Sequence, residues 1–252
     1  MHITLLQMDI VWGQPAANYR RIEAMIKRHP DADLYVLPEM FPTGFCIHPE
    51  GLADSTDESL QWMQQLAGAT QAAIAGSVAV SDGKNYYNRF YFVEPDGKVT
   101  AYDKRHLFTF GGEQRSFTAG KKRVVVHYHG VRILLQTCYD LRFPVWARNR
   151  GDYDLILYVA SWPDTRIAAW KILLQARAIE NQCYVAGVNR VGKDAQCTYS
   201  GASQLVDAYG NICAAAEDYQ EEAISWTLDL DKLQRFRTKF PVLADADDWM
   251  LR

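Results

Sequence analysis

Three side chains of complementary chemistry close three apolar runs in the first half of the chain. Cys138 follows Val131-Arg132-Ile133-Leu134-Leu135-Gln136-Thr137, Glu39 follows Leu34-Tyr35-Val36-Leu37-Pro38, and Lys104 follows the run 98–102. A buried strand asks only for aliphatic, β-branched and aromatic residues, so one that runs into Cys138-Tyr139-Asp140-Leu141-Arg142-Phe143 carries chemistry that folding does not require. A free thiol, with a pKa of about 8.5, is mostly protonated at neutral pH and needs a base or a cation beside it to act as a nucleophile. Glu39 can take that proton and return it to a leaving amine, Cys138 can attack a carbonyl or nitrile carbon, and the Lys104 ammonium can hold the developing oxyanion. The backbone N–H of Tyr139, next after the nucleophile, is the natural second oxyanion donor. Singly, each side chain has a plainer reading: a small buried hydrophobe for the cysteine, solvated loop residues for the other two. The specificity lies in the joint pattern.

To meet, the three must stand on one rim, where the ends of parallel strands converge and loops build sites. The hydrophobic pattern supplies such strands. Residues 2–10 read as a first strand, 15–27 as a helix broken by His29-Pro30, and 34–37 as a second strand ended by the prolines and glycine of the following loop, 38–45. Residues 57–67 place Leu60, Met63 and Leu66 at helical spacing, and 72–80 return to strand composition. Two hairpins follow, 86–93 with 98–102 around Glu94-Pro95-Asp96-Gly97, and 124–128 with 131–137 around His129-Gly130. Beyond the cysteine the pattern predicts a short helix over 143–150, a buried strand over 153–160, and an amphipathic helix over 165–181 with Ala168, Ile172, Leu173, Ala176 and Ile179 inward. Strands at 183–188, 203–206 and 223–228 precede a helix from Asp231 and a hydrophobic arm, 240–252, carrying Trp249 and Leu251.

At 252 residues and 48% hydrophobic composition, the chain is expected to form one α/β domain spanning 1–252. A formal net charge of −3 offers no basic field for a phosphate backbone, so nucleic acid is not an expected partner. The five cysteines, an odd number without a CxxC pair, fit a reduced, cytoplasmic setting. No basic, apolar leader opens the sequence and no apolar run is long enough to span a bilayer.

Two decoys carry less weight. Gly187-Val188-Asn189-Arg190-Val191-Gly192-Lys193-Asp194 has phosphate-loop spacing as far as the lysine, then an aspartate where a hydroxyl should bind Mg²⁺. His127 and His129 share a strand face without a third metal ligand nearby. Neither G-x-S-x-G nor G-x-G-x-x-G occurs, against a serine hydrolase of the elbow type and a dinucleotide enzyme.

Leu37-Pro38-Glu39, Tyr102-Asp103-Lys104-Arg105-His106-Leu107-Phe108 and Cys138-Tyr139-Asp140-Leu141-Arg142-Phe143-Pro144 together resemble the glutamate, lysine and cysteine motifs of the nitrilase superfamily of carbon–nitrogen hydrolases. The resemblance continues through residues 170–189. Within the superfamily, residues 38–45, 103–108 and 158–163 look most like the ω-amidase branch, which hydrolyses the side amide of 2-oxo acids such as 2-oxoglutaramate. It implies an α-β-β-α sandwich, a homodimer that stacks two sandwiches, no metal or other cofactor, and a second, structural glutamate, matched here by Glu113 in Gly111-Gly112-Glu113.

The expected activity is therefore a cysteine amidase acting on a small amide through a thioester. Hydrolysis of a nitrile or an N-carbamoyl group fits the same three residues, and a non-catalytic scaffold or thiol redox sensor is the alternative of another kind. A 2-oxo acid amide carries a carboxylate, for which Arg166 is the candidate ligand, with Phe45 and Trp162 as pocket walls. Asp140 and Arg142 are expected to pair and hold the turn, with a role as substrate ligands as the alternative.

Overall fold

The apolar runs form strands covered on both faces, which is why they lack the polar alternation of a one-sided sheet. In the computed structural model, which describes residues 1–247, the chain begins with β1 (His2–Gln7), α1 (Pro15–Arg28), β2 (Leu34–Val36), α2 (Glu58–Thr70), β3 (Ala73–Ser81), β4 (Tyr86–Val93) and β5 (Val99–Asp103). It continues with β6 (Val125–Tyr128), β7 (Val131–Thr137), α3 (Pro144–Ala147), β8 (Leu155–Ala160), α4 (Ile167–Asn181) and β9 (Tyr184–Asn189). The last elements are β10 (Val191–Lys193), β11 (Thr198–Ser200), β12 (Gln204–Val206), β13 (Ile212–Ala215), β14 (Glu222–Thr227) and α5 (Leu230–Lys239).

Two six-stranded sheets result, ordered β14-β1-β2-β3-β4-β5 and β13-β12-β9-β8-β7-β6. The centre of each is parallel: β1 to β2 to β3 in the first, β7 to β8 to β9 in the second. Alternation along each strand divides its side chains between two layers. Leu34 and Val36 face the other sheet, whose Leu155, Leu157 and Val159 face back, in one central core. The intervening Tyr35 turns outward to Ile22, Met25 and Met63 of α1 and α2. On the opposite side Ile156 and Tyr158 meet Trp170, Leu174 and Ala178 of α4. The order of layers is helix, sheet, sheet, helix, an α-β-β-α sandwich.

Three readings of the pattern are corrected. In α4 the buried residues are Trp170, Leu174, Arg177, Ala178 and Asn181, whereas Ile172 and Ile179 are 64% and 53% exposed. The helix buries polar side chains because they have partners: Arg177 donates to the Leu141 carbonyl at 2.6 Å, and the Asn181 Oδ1 accepts the Asn149 N–H at 2.8 Å. The short helix expected over 143–150 contracts to α3, since Asn149 leaves helical pairing to bind Asn181 and the Tyr153 carbonyl. Strands β10, β11 and β13, three or four residues each, are too short to show a period.

Gly187 also receives a structural explanation in place of a phosphate loop. It lies inside β9, where a Cβ would stand 2.5 Å from Leu174 and 2.8 Å from Trp170, so its absence lets α4 approach the sheet. The described part of the C-terminal arm forms a turn at Val242–Asp245; Trp249 and Leu251 lie outside the described residues.

Candidate active site

Both sheets contribute to one rim. Glu39 follows β2 in a turn held by Ser77, whose Oγ accepts the Met40 N–H at 2.9 Å. Lys104 follows β5, with its N–H on the Asn88 carbonyl and its own carbonyl taken by the Gly120 N–H, both at 2.9 Å. Cys138 follows β7 and opens a 3-10 turn, Cys138–Arg142, with φ +45°. A positive φ is uncommon for a residue with a side chain, and here it marks the change of direction from strand to turn.

Glu39, Lys104 and Glu113 form a fully buried cluster. Lys104 Nζ stands 2.9 Å from Glu39 Oε1, and 3.1 and 2.9 Å from the two Glu113 oxygens. Glu113 Oε2 also accepts the Phe108 N–H at 2.6 Å. The second sheet supplies Ser161, just past β8, whose N–H donates to Glu39 Oε2 at 2.9 Å. Burial opposes a charge on Lys104, yet Glu113 and Glu39 reverse the effect and hold its pKa well above the usual lysine range. Burial raises Glu113, offset by Lys104 and reinforced by Glu39. Burial also pushes the Cys138 thiol well up; Glu39 adds to this and Lys104 opposes it. Burial and Glu39 thus both favour the neutral thiol at Cys138.

The site opens into a cavity of about 260 Å³ whose wall includes Phe45, Phe108, Tyr139, Arg142, Trp162 and Arg166. The Phe45 ring lies 5.5 Å from Lys104 Nζ. Trp162 is 3% exposed, carries the Arg142 guanidinium 4.8 Å above its ring, and donates its indole N–H to the Arg166 carbonyl at 2.9 Å. The Arg166 guanidinium lies 5.3 Å from the Phe108 ring. Tyr139 places its ring edge-on to Phe108, and its N–H belongs to the first turn of a helix, where such groups lack intrahelical partners.

Residues 2–238 match the sequence model of the Carbon-nitrogen hydrolase family. The chain belongs to that family. It is 47% identical over 252 residues to Omega-amidase YafV of Yersinia enterocolitica, covering 100% of this chain and 98% of the relative. It is 36% identical to the 2-oxoglutaramate amidase of Bacillus subtilis (strain 168), covering 96% of each. A CN-hydrolase superfamily protein of Xanthomonas campestris, solved with an arsenic adduct in its active site, superposes with a TM-score of 0.97 at 40% identity, covering 100% of this chain and 99% of that one.

In this carbon–nitrogen hydrolase Asp140 and Arg142 do not pair. Asp140, fully buried, accepts from Tyr102 Oη, the His106 N–H, His106 Nδ1 and the Thr137 N–H, while Arg142 turns into the cavity over Trp162. Residue spacing favoured the neighbouring pair; the buried carboxylate found four donors nearer. Asn88, Ser161 and the β10–β11 hairpin, whose tip brings Asp194 and Cys197 to the cavity, escaped sequence reading because their role is positional. Only the polar Asn88 inside an aromatic strand could have drawn notice. Among the described residues no group of three or more His, Cys, Asp or Glu is arranged to hold a metal ion, and His129 stands 3.4 Å from Asp33.

Proposed function

We propose that this carbon–nitrogen hydrolase is an ω-amidase that releases ammonia from the side amide of a small 2-oxo acid of the 2-oxoglutaramate kind. The observation that carries the reading is the buried Glu39–Lys104–Glu113 cluster beside Cys138, at the floor of an aromatic cavity with two arginines on its wall. The names of the amidases it is similar to support the amide class. Arg142 and Arg166 have ring contacts but no ion pair among the described residues, which supports an anionic substrate.

The Cys138 proton passes to Glu39 as sulfur bonds to the amide carbon. Lys104 and the Tyr139 N–H hold the resulting oxyanion; Lys104 can exchange its longer contact to Glu113, 3.1 Å, for the new negative charge. The carbon–nitrogen bond then breaks and ammonia leaves with the proton from Glu39. Water attacks the thioester, giving its proton to Glu39, and the carbon–sulfur bond breaks as that proton returns to Cys138. Glu113 keeps Lys104 charged and oriented throughout.

The working form is a homodimer in the cytoplasm. Ile172 and Ile179, one heptad apart on the outer face of α4, are supported as the contact by the exposed Val145 and Tyr209. No helix among the described residues is long and apolar enough to cross a membrane, and all five cysteines are unpaired.

The test is ammonia release from a panel of 2-oxo acid ω-amides, nitriles and N-carbamoyl amino acids, with Cys138→Ala as control. The 2-oxo acid amides should be turned over fastest and the variant should be folded and inactive. Faster nitrile or carbamoyl hydrolysis would replace the substrate assignment, and substantial turnover by the variant would remove the cysteine mechanism.

A further inference from the structure

Asn88 lies on β4, 1% exposed, next to β5, the strand that Lys104 follows. Its backbone carbonyl accepts the Lys104 N–H at 2.9 Å and so sets the position of the lysine. Its side chain does something different. Nδ2 donates to Glu39 Oε1 at 2.8 Å and to Glu113 Oε1 at 3.1 Å. Lys104 Nζ contacts the same two oxygens, at 2.9 and 3.1 Å. Two carboxylates that would repel one another thus share two donors.

The other end of the amide shows what holds it. Asn88 Oδ1 has no hydrogen-bond partner among the described residues. Most buried side-chain polar atoms have a hydrogen-bond partner, so an amide paired at one end alone is unusual. This one satisfies only the end that faces the carboxylates. Turning the amide over would set an acceptor against two anions, so the charges orient it.

The consequence falls on Glu39. Each carboxylate oxygen has two lone-pair directions. Oε1 has both taken, by Lys104 and Asn88, whereas Oε2 accepts the Ser161 N–H at 2.9 Å and keeps one free. We propose that Asn88 is a positioning residue that, together with Lys104, removes Glu39 Oε1 from the reaction and leaves Oε2 as the atom that takes the Cys138 proton. The proton moves from Sγ to Oε2 as the sulfur–carbon bond forms, and passes from Oε2 to the leaving nitrogen as the carbon–nitrogen bond breaks. This rests on the reading of Glu39 as the base.

The experiment compares wild type, Asn88→Leu and Asn88→Asp in kcat and KM on a 2-oxo acid ω-amide across pH 5 to 10, with thermal melting of each. In Asn88→Leu, kcat should fall on the order of a hundredfold, the scale of a misplaced reacting group, with KM unchanged within about twofold. The acidic limb of kcat should move to higher pH, because the carboxylates lose a donor that favours their charged form. Asn88→Asp, nearly the same shape, restores a donor only while its carboxyl is protonated. It should keep more activity than the leucine variant and gain an alkaline limb below that of the wild type. Wild-type kcat, a loss confined to KM, or an equal loss in both variants with unmoved limbs would overturn the proposal. If Asn88→Leu does not fold, the Asn88→Asp profile decides alone. A wild type that releases no ammonia from any amide would refute Glu39 as base; an active wild type with pH-indifferent Asn88 variants would refute only the role of Asn88.

Discussion

Asp140 Oδ1 accepts both the backbone N–H and the ring Nδ1 of His106, at 2.9 and 2.8 Å. The carboxylate two residues past the cysteine thereby holds the loop two residues past the lysine. A carboxylate oxygen accepts, so this contact calls for the His106 tautomer with its proton on Nδ1. Oδ2 completes the clamp with Tyr102 Oη at 2.7 Å and the Thr137 N–H at 2.9 Å. Asp140→Asn would turn an amide NH₂ toward at least one of these buried donors. It should destabilise the protein by about 1–3 kcal/mol, a drop of roughly 2–4 °C in Tm for each kcal/mol, and should lower kcat as the cysteine and lysine lose their common reference. Calorimetry and steady-state kinetics check this; wild-type values in both would mean the clamp is redundant.

The raised Cys138 thiol predicts a pH dependence of direct alkylation. A group whose pKa is raised stays protonated through neutral pH, and its thiolate appears only as pH climbs toward the raised value. Inactivation of substrate-free enzyme by iodoacetamide should therefore keep rising between pH 7 and 9, by up to about tenfold per pH unit. A rate already level at pH 7 would show a preformed thiolate and contradict the neutral resting site.

The arginines on the cavity wall predict selectivity by charge. Arg166→Met and Arg142→Met should each raise KM for a carboxylate-bearing amide by roughly one to two decades, matching the loss of a charge-assisted hydrogen bond of about 1.5–3 kcal/mol. Hexanamide, which has no charge to pair, should be turned over almost as by wild type. Equal losses on both substrates would assign the arginines to holding the Trp162 wall, since Arg142 packs on its face.

The exposed face of α4 predicts the oligomer. Ile172→Glu together with Ile179→Glu puts two charges on a surface that carries no core residue, so the fold should persist while a dimer resting on that face dissociates. Light scattering of wild type and variant at micromolar concentration reads the result. A monomeric wild type of about 29 kDa, the mass of one 28.7 kDa chain, rejects the dimer; an unchanged dimer in the variant moves its interface elsewhere.

Much of the fold was legible because local pattern and layer agree. The runs at 34–37 and 155–160 are apolar throughout since each strand is covered by a sheet on one side and helices on the other. Glu39, Lys104 and Cys138 were legible as departures from that pattern at strand ends. Helix α4 was misread because amphipathic spacing reports which side chains are apolar, not which ones water reaches. Arg177 and Asn181 are buried by hydrogen bonds to segments distant in sequence, and Ile172 and Ile179 are left outside.

The sequence alone determined the strand ends, the residue types placed on them and, through the motifs, the family. Only the tertiary structure decided which atoms meet, because the site joins two sheets whose strands do not pair with one another. Glu39, Asn88 and Lys104 come from one sheet, Cys138 and Ser161 from the other, and Glu113 from the loop between them. The 2.9 Å hydrogen bond from the Ser161 N–H to Glu39 across that junction depends on how the central core sets one sheet over the other. That packing sums many contacts remote along the chain, so no local stretch records that Arg142 faces the cavity or that Asn88 bridges two carboxylates.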